Sequence, residues 1–178
     1  GAITCLVAED HDPKKNKLRS CGKALPGVDI KVIDENGKEV NQGDVGEIIT
    51  RSDLNMKGYW NNPDATEESI QNGWFYSGDA GFVDEDGFLY IHDRVKDMIV
   101  SGGENIYPAE VENALMSNEE ILDAAVVGVP DKKWGESTKA FVVLSPGSSL
   151  NDKDIISYTK TKIASYKCPT SVEFIEAL

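Results

Sequence analysis

Gly73-Trp74-Phe75-Tyr76-Ser77-Gly78-Asp79, followed by His92-Asp93-Arg94-Val95-Lys96-Asp97-Met98-Ile99-Val100-Ser101-Gly102-Gly103-Glu104-Asn105-Ile106-Tyr107-Pro108, is the stretch that decides the fold. Between its halves lie Gly81-Phe82-Val83, then Asp84-Glu85-Asp86-Gly87, then Phe88-Leu89-Tyr90-Ile91. Two apolar runs around an Asp/Gly turn read as a β-hairpin, because those residues accept the backbone angles a tight turn needs. Folding that hairpin can bring an acid, Asp79, and a guanidinium, Arg94, to one place. A short charged joint follows, and then a glycine turn that leads into a helix. Pro108 suits the first helical position, where its absent N–H is not missed.

Working outward, the first half of the chain reads as β. Val28 to Asp34 alternates apolar and polar, and Asn36-Gly37 is a strong hairpin turn. Val45 to Thr50 is a further strand, and Pro63 through Ile70 a short helix. Tyr76-Ser77-Gly78-Asp79 is expected at a strand-end turn. After Asp93 the pattern changes. Met98 to Val100 is a short strand, and Gly102-Gly103 a turn. Val111 and Leu115 share one helical face, with Glu110 and Glu112 near its N-terminus. Ala124 to Val129 reads as a buried strand, and Lys139 to Leu144 as another. Asn151 can cap a helix with Ile155, Thr159 and Ile163 on one stripe. Ser171 to Ile175 closes the chain as a strand. The fold class expected is therefore α+β: a β-rich piece over residues 1–93, a joint over 94–97, and a small α+β domain over 98–178.

With 178 residues, 40% of them hydrophobic, the chain can bury a real core. Its formal charge of −13 argues against a nucleic-acid or membrane surface as the main partner, since those reward basic patches. The cysteines Cys5, Cys21 and Cys168 are odd in number and lack metal-ligand spacing, which suits reduced thiols in a cytoplasmic protein. With only His11 and His92, no histidine-rich metal site is expected. No run is apolar enough for a transmembrane segment. The chain opens at Gly1 without an initiator Met, as a fragment or a processed protein would.

Each chemical feature has a plain alternative. Asp79, after Gly78, can be a simple turn residue, but its carboxylate can also accept hydrogen bonds from both hydroxyls of a ribose. Arg94 can pair with Asp93 or Asp97 on the surface, or offer its donor fork to ribose or phosphate oxygens. Lys96 can be a solvated lysine, or a side chain that stays solvated in two orientations of a hinge. Ser101-Gly102-Gly103 can be a plain hairpin turn, or a wall without side chains along which a thin substrate arm slides. No GxxxxGK[ST] loop and no Ser/His/Asp set is present.

Taken together, Cys21 to Val28, Gly46-Glu47-Ile48, Met56-Lys57-Gly58-Tyr59-Trp60-Asn61-Asn62-Pro63, Gly73 to Gly81 and Asp93 to Glu112 resemble the adenylate-forming superfamily. Within it, Ser101 to Glu112 looks most like the fatty-acyl- and aryl-CoA ligases. The resemblance implies ATP-driven activation of a carboxylic acid, a fatty acid being favoured, to acyl-AMP and pyrophosphate. Domain rotation and thioester formation with CoA follow. It implies that Asp79 and Arg94 hold the ribose, that Ile91 lies beside the nucleotide and that Lys96 is the pivot. Ser101, Gly102 and Gly103 would approach the pantetheine arm. Trp134 would line its tunnel or, alternatively, fill a core. ATP, CoA and Mg²⁺ are the implied cofactors of the full-length enzyme. The phosphate loop, the acyl pocket and the Mg²⁺-linked glutamate would precede Gly1, and the adenylation lysine would follow Leu178. No catalytic residue is then expected within these 178 residues, and the isolated chain is expected to be inactive. Family members often carry basic residues around Tyr166 to Thr170 for CoA phosphates; here Lys167 is basic, while Cys168 and Thr170 are not. A carrier-protein-loading adenylation domain, or a non-catalytic binding module of the same fold, are the alternatives.

Overall fold

A computed structural model describes residues 2–178 and divides the chain into two compact units, Gly1–Val95 and Lys96–Leu178. Both are built on mainly antiparallel sheets, with helices concentrated in the second, so the mixed α+β class holds.

In the first unit, β1 (Thr4–Cys5) and β2 (Lys23–Ala24) form a short ladder. The main sheet contains β3 (Asp29–Ile33), β4 (Gly46–Arg51), β5 (Ile70–Gln71), β6 (Trp74–Val83) and β7 (Leu89–Arg94). β4 pairs with β3 and β6, and β6 also pairs with β5 and β7. The expected turns are present. Gly37 and Gly87 both take positive φ, and Asp34 and Asp84 each accept two backbone amides through Oδ1. Helix α1 (Pro63–Ser69) starts at the proline, with the Asn62 side chain accepting from Ala65 N.

The tip of the β6–β7 hairpin is held from outside. Lys17 Nζ lies 2.7 Å from Asp84 Oδ2 and 2.7 Å from Asp86 Oδ2. Hydrogen bonds to Asp84 and then Asp86 hold the ammonium well above the ordinary lysine range. Burial alone would raise the Asp84 carboxyl. Hydrogen bonds from Lys17 and the Phe88 amide outweigh burial and hold it below the usual range.

In the second unit, β8 (Ile99–Ser101), β9 (Glu104–Ile106), β10 (Ile121–Asp131), β11 (Gly135–Leu144) and β12 (Ser171–Phe174) form one sheet. Its path is β10-β11-β8-β9, with β12 parallel to β11. Helices α2 (Pro108–Met116) and α3 (Asp152–Lys160) complete the core. Val111, Leu115 and Ile155 are fully buried with Ile99, Ile106, Ala140 and Val142. Asn151 closes a capping box with Asp154, satisfying orphan amides at the start of α3.

Three expectations are corrected. β10 is not buried throughout: Ala124 and Val126 face the core while Val127 is exposed, as an antiparallel strand with one wet face requires. Ile163 lies past the end of α3, packed against the core from the following turn. The chain between the Gly102-Gly103 turn and α2 is a three-residue strand, β9, rather than a direct lead into the helix.

Candidate functional site

The first cluster is built by an irregularity in β6. Against β4, Glu47 opposes Ala80 and Ile49 opposes Tyr76. One residue of β4 thus faces three of β6: Ser77, Gly78 and Asp79. This bulge corrects the expected position of Asp79, which lies inside the strand and not in a strand-end turn. Bulges re-aim side chains and leave backbone groups to be satisfied otherwise. Here Ser77 Oγ donates to Ile48 O at 2.6 Å and accepts from Asp79 N at 3.0 Å, while Gly78 N donates to Glu47 Oε1 at 3.1 Å. Gly78 adopts φ +70°, a left-handed conformation that favours glycine.

The bulge aims Asp79 at β7. Asp79 and Arg94 stand directly opposite in register, and Arg94 Nη1 donates to Asp79 Oδ1 at 2.8 Å. The plain alternative for Arg94 named Asp93 or Asp97 as its partner. Asp93 Oδ1 instead accepts the Arg94 backbone amide. The side chains are 52% and 29% exposed, so the pair is open to solvent and to a ligand. Ile91 opposes Gly81 on the same hairpin and is 54% exposed.

Lys96 is exposed and sits in a single turn, Val95–Asp97, at the boundary of the two units.

The second cluster lies within the second unit. Ser101 pairs with Glu104 across a two-residue loop, Gly102-Gly103, whose φ values of +62° and +88° are those of a primed hairpin turn. The hairpin joining β10 to β11 comes against it. Asp131 Oδ1 accepts from Lys133 N and Trp134 N at 2.8 and 2.9 Å, which fixes the loop and holds the Asp131 carboxyl below the usual range. Trp134 O accepts from Gly102 N at 2.9 Å. The indole packs on Gly102 but is 48% exposed, which removes the core-filling alternative for Trp134. Lys133 Nζ sits 4.2 Å above its ring centroid. The Ser101-Gly102-Gly103 turn and Trp134 therefore lie side by side: a glycine backbone next to a half-exposed indole that carries Lys133 over its ring.

Lys167 does not stand ready for an anion. Its Nζ donates to both carboxylate oxygens of Glu110, at 2.8 and 2.7 Å, with both side chains largely covered. Among the described residues, no group of three or more His, Cys, Asp or Glu could hold a metal ion. Nor is any helix among them long and apolar enough to cross a membrane.

Two family models match this chain: the AMP-binding enzyme over residues 1–60, and the AMP-binding enzyme C-terminal domain over residues 110–178. The chain belongs to the AMP-binding enzyme family. Curated members include ScoC of Streptomyces coeruleorubidus, a fatty acid–[acyl-carrier-protein] ligase. It is 43% identical over 174 residues, 98% of this chain and 34% of its own. The long-chain-fatty-acid–CoA ligase FadD13 of Mycobacterium tuberculosis is 42% identical over 178 residues, 100% of this chain and 34% of its own. The solved structure of o-succinylbenzoate CoA synthetase (MenE) from Bacillus subtilis, in complex with the acyl-adenylate intermediate OSB-AMP, has a TM-score of 0.88 at 40% identity. That match covers 99% of this chain and 35% of that one. The chain spans about a third of the length of the curated relatives it matches. Asp79, Ile91, Arg94, Lys96 and the Ser101–Gly103 turn lie between the two family-model spans, while Trp134 lies inside the second.

Proposed function

We propose that this chain is part of an ATP-dependent acid–CoA ligase of the cytoplasm. In that reading a carboxylic acid, a fatty acid being the favoured class, reacts with ATP to give its acyl-adenylate and pyrophosphate, and the acyl group then passes to CoA with release of AMP. The observation that carries it is the facing of Asp79 and Arg94 across β6 and β7. A carboxylate acceptor and a guanidinium fork, both open to solvent, match the two adjacent hydroxyls of a ribose, with Ile91 beside the base. The ion pair keeps both groups ordered before the nucleotide arrives, which lowers the cost of binding it.

In the same reading, residues 94–97 are the hinge, with Lys96 as pivot, between the end of the larger domain and a C-terminal domain over 98–178. The Ser101-Gly102-Gly103 turn and Trp134 line the path of the pantetheine arm. A flat backbone and a half-exposed indole can exclude water from a slender chain, with the Lys133 ammonium over the ring as the charge next to it. Turnover belongs to the longer protein, with ATP, Mg²⁺ and CoA as its cofactors, and the 178 residues alone are inactive. The relative that loads an acyl-carrier protein supports a second reading in which the acceptor is a carrier thiol.

The test is a paired assay on the longer protein: acid-dependent pyrophosphate release across a panel of acids, then thioester formation with CoA. Asp79→Ala is expected to lower pyrophosphate release at least tenfold. Substitution of Lys96 is expected to affect the two steps unequally. Pyrophosphate release without CoA thioester moves the acceptor to a carrier protein. Absence of pyrophosphate release with every acid in the panel overturns the ligase reading and leaves the non-catalytic binding module.

A further inference from the structure

The geometry points to Glu136 as a positioning residue for the acceptor step, acting through the Ser101-Gly102-Gly103 turn. β8, which ends in that turn, is attached to β11 through a single register pair, Ser101 with Gly135. One residue on, the next link is not a backbone bond. Val100 N donates to the side chain of Glu136, to Oε2 at 2.9 Å. The other carboxylate oxygen lies over Gly128 of β10, where an added Cβ would stand 3.2 Å from Oε1 and 3.3 Å from Ile99 Cγ1. Gly128 thus leaves the room in which the carboxylate sits between β8 and β10.

A side-chain acceptor in place of a ladder carbonyl has a structural effect. The ladder would draw β8 flat against β11. A carboxylate on its flexible stem lets β8 diverge while its amide stays satisfied. Beyond this link come the Ser101–Gly135 pair and the bond from Gly102 N to Trp134 O at 2.9 Å. Val100, Ser101 and Gly102 are therefore fixed to Glu136, Gly135 and Trp134 in turn. Glu136 sets the angle at which β8 leaves β11, and so the spacing of the glycine wall from the indole. A misplacement of about 1 Å in such a wall is enough to weaken a step by two orders of magnitude.

This inference rests on the proposed role of that surface, and two readouts separate the two claims. The first needs no activity: amide hydrogen exchange of Val100 and Gly102 in the 178-residue chain. Glu136→Ala is expected to speed exchange at both amides about tenfold, while Glu136→Gln, which keeps an acceptor oxygen, holds both near wild type. Unchanged exchange in the alanine variant, or a glutamine variant that behaves like alanine, overturns the positioning role whether or not the protein is a ligase. If the alanine variant fails to fold, the glutamine variant still decides: loss of protection at Val100 and Gly102 there overturns the inference. The second readout is the longer protein's KM for CoA, expected to rise about tenfold in Glu136→Ala with a much smaller change in the KM for ATP. An equal change in both overturns a specific effect on the acceptor surface. A wild-type enzyme that forms no thioester overturns the ligase reading instead, leaving exchange to judge Glu136.

Discussion

Trp134 lies so close to Gly102 that a Cβ on the glycine would stand 2.8 Å from Cε3 of the indole. Gly102 also holds φ +62°, so a side chain there meets both backbone strain and the ring. Gly103 has φ +88° but nothing within 4 Å of an added Cβ. The neighbouring glycines therefore separate the two costs. Gly103→Ala is expected to lose about 1 kcal/mol, the conformational cost alone. Gly102→Ala is expected to lose about 2 kcal/mol or more, because the ring must also shift. Urea unfolding of both variants measures the difference. Equal losses would show that the indole yields freely and does not pack on the turn.

The Asp79–Arg94 pair is expected to separate stability from binding. Both groups are substantially exposed, and such pairs contribute about 0–1 kcal/mol. Asp79→Asn should therefore change the unfolding midpoint only slightly. It should weaken adenosine nucleotide binding at least tenfold, since the acceptor charge is lost. Isothermal titration alongside denaturation checks both. A large loss of stability with unchanged binding would make the pair a structural clasp.

Much of this was legible in the sequence, and the parts that were not share a cause. Asn36-Gly37, Asp84 to Gly87, Pro108 and Asn151 carry local signals, because turn and cap chemistry is settled by a few adjacent residues. The meeting of Asp79 and Arg94 follows from the hairpin between them. The bulge at Ser77 to Asp79 leaves no such signal: its extra residues are satisfied by Ser77 Oγ and the Glu47 carboxylate, contacts that exist only once β4 and β6 pair. β9 is three residues, two of them polar, too short for a period to show. The exposure of Trp134 and the pairing of Lys167 with Glu110 depend on partners far away in sequence.

The Lys17–Asp84–Asp86 cluster should shape the response to acid. The Asp84 carboxyl is held below its unfolded value, so its contribution is complete above about pH 4 and is lost as pH falls through the depressed folded value. Lys17 works in the opposite sense. Its folded value is raised, so its contribution is complete below about pH 10 and lost only as pH climbs through the folded value. Between those limits neither group adds a slope. Asp84→Asn keeps an acceptor for the Asp86 and Phe88 amides while removing the charge. It is expected to flatten the loss of stability below pH 4, measured by urea unfolding across pH 3 to 6. An unchanged acid limb would show that Lys17 does not single out Asp84.

Lys167 offers the last discrimination. A lysine near the end of this domain could serve CoA phosphates, but here it is committed to Glu110, which joins the first turn of α2 to the segment before β12. Both side chains are largely covered, so removing one leaves the other as a poorly solvated charge. Lys167→Met is therefore expected to destabilise the chain by about 1–3 kcal/mol, and Glu110→Gln by less, because the amide can still accept from the ammonium. Glu110→Gln also releases Lys167 from its counter-charge. If the lysine is structural, the longer protein's KM for CoA stays within about threefold in both variants. If it reaches a phosphate, Lys167→Met raises that KM at least tenfold while Glu110→Gln lowers it. Opposite movements of KM in the two variants would therefore reassign Lys167 from the fold to the ligand.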